Sequence, residues 1–341
     1  MGHRAFLLAA GFGTRMQPLT NHRAKPLVPL CGVPLLDQAV ALIRAHGIES
    51  AVVNAHHLPE GIERWAERQP IKIEVSKELP DILGTGGGLR AALPILDDSF
   101  VVVNGDILCD VDLTALMNGL SESSPSACMA LRPIVGDAKY GIVAADDNNV
   151  VVDLVGLAKA EPHGKVRRDT HFTGVHALTR SAVELLPPEQ FSCVVRGSYV
   201  KMVPQRTVKS TRHTGIWEDA GNPESYLAAN MSVLNGDMKP PLDTLPLAAW
   251  AIIDGREHGS RDDIDCPESC SFNPPFWIGH GATIQEQCTI SGSIIGEDAL
   301  VLAGSKIESS VVWDNCTVSK DSNHCDVIIY DGGVYKHNGE D

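Results

Sequence analysis

Leu7 to Pro29 reads LLAAGFGTRMQPLTNHRAKPLVP, and the fold is decided by how this stretch is read. The apolar run from Ala5 to Ala10 has the length and composition of a buried strand. It empties into Gly11-Phe12-Gly13-Thr14-Arg15, where glycine lets the backbone approach a ligand closely. A glycine-rich turn after a strand aims its amides into one concavity, which suits an anion carrying several negative charges. Arg15 and Lys25 supply the opposing charge. The stretch is not a Walker A loop, because Gly-Lys-Ser/Thr is missing. Nor does it complete a dinucleotide fingerprint, since Met16 and Gln17 stand where the third glycine belongs.

Downstream, helix and strand patterns alternate. Pro34 to Ala45 carries Leu35, Leu36, Ala39, Val40 and Ile43 at helical spacing, with Gly47 as a C-terminal cap. Ile48 to Asn54 reads as a strand, Pro59 to Gln69 as a helix and Ile71 to Ser76 as a strand again. Such alternation predicts a doubly wound α/β sheet, in which ligands gather at the carboxyl ends of the strands. His56 and His57 lie at one such end, as nucleotide contacts or as solvated loop histidines. Leu83 to Leu89 (LGTGGGL) is a second glycine-rich loop, before a helix beginning near Leu89. The β-branched run Ser99 to Asn104 then delivers Gly105-Asp106 where an open sheet places its chemistry. Further strands are predicted at Ala127 to Arg132 and Thr170 to Leu178, and short helices at Leu113 to Leu120, Ser181 to Leu186 and Arg196 to Val203. Gly215 to Leu227 (GIWEDAGNPESYL) closes this region, with Asn222 able to cap a helix that starts at Pro223.

Gly-x-Gly-Thr-Arg-Met-x-Pro-Leu-Thr with Lys25-Pro26, Gly105-Asp106, Phe172-Thr173-Gly174 and the Trp217-Glu218-Asp219-Ala220-Gly221 block together resemble the sugar-1-phosphate nucleotidyltransferases, the enzymes that make NDP-sugars. The resemblance covers about residues 5 to 235. It implies a Rossmann-like domain in which Ala9, Ala10, Gly11, Gly13, Thr14, Gly84 and Thr85 bind the nucleotide, and Arg15 and Lys25 meet its phosphates. It also implies that Asp106 and Asp219 share Mg²⁺, with Asp106 counted among the catalytic residues. Gly141, Thr173 and Gly174 fall on the sugar side, although Gly141 reads equally well as a turn or bulge glycine. The Glu-Lys-Pro of many members is replaced by Ala160-Glu161-Pro162-His163-Gly164-Lys165, which leaves Lys159, Lys165, Arg167 and Arg168 open as sugar-phosphate cations.

From Trp277 onward a six-residue period appears: Ile278, Ile284, Ile290, then Ile295, Val301, Ile307, then Val312, Val318. An inward aliphatic every six residues, with small residues at the corners, is the mark of a β-helix of about three coils, and Asp321 to Tyr335 reads as its ragged end. It resembles the left-handed hexapeptide β-helix tail of several NDP-sugar synthases. The expected organisation is therefore a catalytic domain over 1–236, a connector with one helix over 237–275 and a short left-handed parallel β-helix over 276–335. Open β-helix ends leave backbone groups unpaired, which points to a homo-oligomer.

The net charge of −15 over 341 residues argues against a general nucleic-acid binder, which needs a basic face. No apolar run approaches the roughly 20 residues that span a bilayer, and Met1 to Arg4 leads into a strand without a signal-peptide core. With nine scattered cysteines, an odd number, cytoplasmic residence and reduced thiols are expected, without a membrane partner. Cys266 and Cys270, with His280 and Cys288 downstream, lack the second paired motif of a zinc site.

The expected reaction is nucleotidyl transfer from an NTP to a sugar 1-phosphate. GTP with mannose 1-phosphate is the first pair, UTP or another NTP with a different hexose, heptose or amino-sugar 1-phosphate the second. A non-catalytic NDP-sugar-binding subunit would be expected to lose Arg15, Lys25, Asp106 and Asp219, which are all present. An acyltransferase in the tail would lean on His280, and a nicotinamide enzyme on the broken fingerprint.

Overall fold

A computed structural model describes residues 4–121, 125–136, 140–188, 190–239, 248–253 and 255–336; Met1-Gly2-His3 and the Pro240-Pro241 pair lie outside the described residues. The chain forms two compact units, one of residues 1–12, 39–105 and 109–217, the other of residues 13–38, 106–108 and 218–341.

The first unit is built on a ten-stranded mixed sheet. Ser99–Asn104, Ala5–Leu8, Ser50–Ala55 and Lys72–Lys77 lie side by side in parallel, with Phe6 opposite both Val52 and Val102. This is the expected parallel sheet. Beyond Ser99–Asn104 the sheet continues antiparallel through the long strand Val166–Thr179 to Ile142–Asp146 and Val151–Leu154. Val166–Thr179 can serve several neighbours because its register shifts between Phe172 and His176, where Gly174 takes φ +85°. A bulge of this kind bends a strand and re-aims its side chains. Phe6, Val52, Phe100, Val102, Met129 and Leu178 fill the core beneath the sheet. The helix Pro59–Ala66 shows the local logic of the crossovers: proline opens it, Glu60 sits in its first turn, and Ile62 and Trp65 turn inward.

One element differs from its sequence reading. The glycines of 84–88 are not a loop but the first turns of the helix Gly84–Ala92. Glycine is a poor helix former, yet a Cβ on Gly86 would come 2.7 Å from Ser192 Oγ, and one on Gly87 2.5 Å from the Gln190 carbonyl. Close packing against residues 190–194 outweighs propensity here.

In the second unit the six-residue period resolves into three stacks of short parallel strands. Trp277 pairs Ile294, Ile294 pairs Val311 and Val311 pairs Ile328. Thr283, Leu300 and Thr317 form a second stack, and Ser271, Thr289, Lys306 and Asn323 a third. Ile278, Ile295 and Val312 lie buried in one column, Ile284, Val301 and Val318 in another, Ile290 and Ile307 in the last. Each such side chain contributes roughly 1.5–3 kcal/mol by burial. Two expectations are corrected. Part of the segment read as connector, Ala248–Ile253, is a strand antiparallel to Phe276–Gly279, because its apolar run covers the edge of the first stack. Asp321 to Tyr335 is not ragged either: it holds the strands Asn323–Cys325 and Val327–Tyr330, and Gly333–Lys336 folds back on the latter.

Gly279 and Gly296 occupy one corner of successive circuits, and a Cβ on Gly296 would lie 2.4 Å from the backbone nitrogen of Asp314 in the next. Gly296→Ala is therefore expected to cost about 2 kcal/mol or more, read as a lowered urea midpoint with unchanged slope.

Candidate active site

The chemistry-bearing residues of the second unit meet at one ammonium. Lys25 opens the single turn Lys25–Leu27 and is only 6% exposed. Its Nζ donates to Asp106 Oδ2 at 2.7 Å and lies 3.8 Å from Asp219 Oδ1. Asp106 directly precedes the strand Ile107–Cys109, which pairs with Trp217–Asp219, so a two-stranded ladder carries both carboxylates. Arg15 Nη1 stands 4.0 Å from Asp219 Oδ2, with the arginine side chain 70% exposed. Gly221 leaves room for that pair: a Cβ there would come 3.0 Å from Asp219 Oδ2 and 3.1 Å from Arg15 Nη1. Two carboxylates this close repel unless a cation stands between them, and Lys25 is that cation.

The loop ends are fixed by local chemistry. Gly13 adopts φ +64°, caps the turn Thr14–Met16 and accepts a hydrogen bond from Thr20 Oγ1 at 2.9 Å. A Cβ at Gly13 would press on Lys25 Cβ and Thr20 Cγ2 at 3.0 Å, so this position needs glycine for space as well as conformation. Beyond Asp219, Asn222 Oδ1 accepts from Ser225 N at 2.8 Å and Ser225 Oγ from Asn222 N at 3.2 Å, a capping box that anchors the helix Pro223–Leu234.

In the first unit, two residues that the sequence reading did not single out tie its glycine segments together. Ala9 N donates to Asn54 Oδ1 at 2.7 Å, and Asn54 Nδ2 donates to Glu78 Oε1 at 2.7 Å. Glu78 Oε2 accepts from Leu83 N at 2.6 Å, directly before Gly84. A Cβ on Gly88 would lie 2.3 Å from Glu78 Oε1, so that glycine makes room for the carboxylate. The strand end at Ala9 and Ala10 and the start of Gly84–Ala92 are thus held by one buried chain of hydrogen bonds, Glu78 being 1% exposed. Thr85 is exposed and its Oγ1 accepts from Val194 N at 3.1 Å. Gly11 is exposed with open space at its Cβ position. His56 is held by the Glu78 carbonyl, 2.7 Å from its Nδ1, and by an edge contact with Phe12.

The residues expected on the sugar side also lie in this unit. The Thr173 hydroxyl is engaged internally: it donates to the Ala130 carbonyl at 2.9 Å and accepts from Val175 N at 3.2 Å. Trp217 Nε1 donates to the Thr173 carbonyl at 2.8 Å. A Cβ on Gly141 would meet Val155 Cγ1 at 2.3 Å, so glycine there makes room for Val155. Around Thr173 stand three rings, with Tyr140 stacked on His171 at 4.9 Å and both edge-on to Trp217. Burial and the Arg132 charge push the His171 imidazolium pKa below its usual value, against a hydrogen bond to the Phe172 carbonyl. Arg132 lies opposite His171 in the ladder, its Cζ 5.8 Å from the centre of the Trp217 ring. Among the open cations, Arg168 pairs with Asp153 at 3.0 Å and Arg167 donates to Asn149 Oδ1 at 2.8 Å.

Glu78→Ala should strand the buried Asn54 amide and Leu83 N–H. The expected loss is about 2–4 kcal/mol of stability, since each unsatisfied group costs roughly 1–3 kcal/mol. Chemical unfolding of the variant beside Glu78→Gln, which keeps one acceptor oxygen, checks this.

The model of the nucleotidyl transferase family matches residues 4–236. A UTP–glucose-1-phosphate uridylyltransferase of Synechocystis is 26% identical, over 96% of this chain and 87% of that protein. An N-acetylmuramate alpha-1-phosphate uridylyltransferase of Neisseria meningitidis is 33% identical, over 64% of this chain and 93% of its own length. A mannose-1-phosphate guanylyltransferase of Mycobacterium tuberculosis is 24% identical, over 92% and 80%. The match takes in the first glycine turn, Lys25, Asp106 and Asp219, and on that ground the chain belongs to the nucleotidyl transferase family.

Proposed function

We propose that this protein transfers a nucleotidyl group from an NTP to a sugar 1-phosphate, releasing pyrophosphate and an NDP-sugar. The observation that carries the reading is Lys25 Nζ held between Asp106 and Asp219. A sugar-phosphate oxygen attacks the α-phosphorus, and the bond to the bridging oxygen of pyrophosphate breaks. The attacking oxygen is already ionised near neutral pH, so no general base is required, and catalysis is alignment plus charge neutralisation. Arg15, with its side chain 70% exposed, takes the departing β- and γ-phosphates. Lys25 takes the α-phosphate, where charge shifts during displacement. Gly11, Gly13 and Thr14 offer backbone to the triphosphate, and Gly84 and Thr85 to the base.

Asp106 and Asp219 fit Mg²⁺, because both are hard oxygen donors drawn to one positive centre, and two carboxylates with phosphate oxygens suffice for that ion. When bound, Mg²⁺ supplies neutralisation of the phosphate oxygens, alone or with a second ion. On the sugar side we assign Gly141 and Gly174 to the pyranose. Thr173 contributes its backbone, since its hydroxyl is spent on Ala130. We assign the sugar phosphate to Arg132, a guanidinium resting on an aromatic ring with its N–H edge still able to donate.

GTP with mannose 1-phosphate is the pair we put first. UTP with glucose, N-acetylmuramate or another sugar 1-phosphate is the second reading, favoured by the 33% identity to a uridylyltransferase. We also infer that the three strand stacks form a short left-handed β-helix, and that its last strands, Thr317–Val318 and Asn323–Cys325, which end their sheets, join copies into an oligomer. None of the nine cysteines is joined in a disulfide, which supports a reducing, cytoplasmic setting. No described helix is long and apolar enough to cross a membrane.

A matrix of NTPs against sugar 1-phosphates, scored by pyrophosphate release with and without Mg²⁺, tests the proposal. Release is expected only with both substrates and the ion. Silence across the whole matrix would leave a binding subunit instead. Lys25→Ala should lower kcat by about 100-fold or more. Arg132→Ala should raise KM for the sugar phosphate by about tenfold while leaving KM for the NTP near its original value.

A further inference from the structure

The segment that carries Lys25 is fastened on one flank by the strand stacks of its own unit and on the other by the helix Pro223–Leu234. Two residues before Lys25, Arg23 donates to Asp314 in two parallel bonds, Nη1 to Oδ1 at 2.6 Å and Nη2 to Oδ2 at 3.1 Å, and Nη2 also reaches Asp331 Oδ2 at 3.4 Å. Its Cζ lies 4.6 Å from the centre of the Trp313 ring. An isolated surface ion pair contributes little, but this one is bidentate, shared between two carboxylates and laid on a buried indole, with the arginine side chain 18% exposed. On the far flank, the Pro29 carbonyl accepts from the Tyr226 hydroxyl, and Trp313 Nε1 donates to that same hydroxyl oxygen at 3.0 Å. Between the two anchors lies the Lys25–Leu27 turn, closed by Leu27 N to Ala24 O at 2.8 Å and Val28 N to Lys25 O at 3.1 Å. Of two adjacent residues at one corner, Asp314 holds one end of the turn through Arg23 and Trp313 reaches the other through the Tyr226 hydroxyl.

We propose that Asp314, with Asp331 and Trp313, is a positioning element for Lys25: the strand stacks set the origin of the ammonium used in transfer. The proposal rests on the reading of Lys25 as the phosphate-binding cation. Lysine is a point charge on a flexible four-carbon stem, so its place in a transition state is only as good as the backbone that launches it. A displacement on the order of 1 Å is enough to cost a large factor in rate.

Asp314→Asn keeps the shape and removes the charge. In that variant kcat should fall about tenfold, while KM for the NTP changes by less than about threefold. In a Lys25→Ala background the same substitution should cost nothing further, since both act on one group. Full kcat in Asp314→Asn, or losses that multiply in the double variant as general destabilisation would, overturns the proposal. A second readout needs no turnover: the rate at which an amine-acylating reagent labels Lys25, followed by peptide mass spectrometry, should rise several-fold in Asp314→Asn. Unchanged labelling also overturns it. A wild-type protein silent with every substrate pair, yet with labelling that responds, would sink the transferase reading and leave the positioning contact standing. Asp331→Asn, at the longer contact, should move both readouts the same way by less, and it carries the test if Asp314→Asn does not fold.

Discussion

One buried ammonium keeps two carboxylates together, and the function proposed for this protein depends on that contact. Asp106 and Asp219 come from distant parts of the chain, and their approach is tolerable because Lys25 Nζ stands within 2.7 and 3.8 Å of them. On the proposed function, that arrangement is what meets a polyphosphate. A positive group already compensated by acidic neighbours is poised to exchange one anionic partner for another. A ligand with its own charge and counterion can enter without leaving a buried charge bare.

Each unit is fixed by small, specific contacts of its own. Glycines matter where a second group occupies the place of a Cβ: Gly13 for Lys25 and Thr20, Gly221 for Asp219 and Arg15, Gly88 for Glu78. Buried polar groups near the glycine segments are satisfied in chains, as from Ala9 through Asn54 and Glu78 to Leu83. Such chains specify one geometry because a half-satisfied version costs more than none.

Much of this was legible in the amino-acid sequence. Strand-forming runs, the Lys25-Pro26 dipeptide, Gly105-Asp106 and the block at Asp219 are contiguous signals, and the structure brings their charged members together. What escaped reading were residues whose role comes from distant partners. Glu78 and Asn54 sit in ordinary surroundings along the chain, and only the folded sheet makes them neighbours. The glycines of 84–88 mislead because propensity argues against helix, whereas packing against Gln190 and Ser192 forbids anything larger. In the tail the aliphatic period was plain, but Ala248–Ile253 lay among prolines and charges that read as linker, although its apolar run closes a sheet edge.

The repeat of the strand stacks has a consequence for how such a protein can change length. Trp277, Ile294 and Val311 mark successive circuits 17 residues apart, and neighbouring strands stand roughly 4.8 Å from each other. Inserting or deleting one circuit ahead of Trp313 would slide its corner past Arg23 by that spacing, far more than a two-pronged hydrogen bond accommodates. The number of strands stacked ahead of Trp313 is thereby fixed by the Arg23 contact.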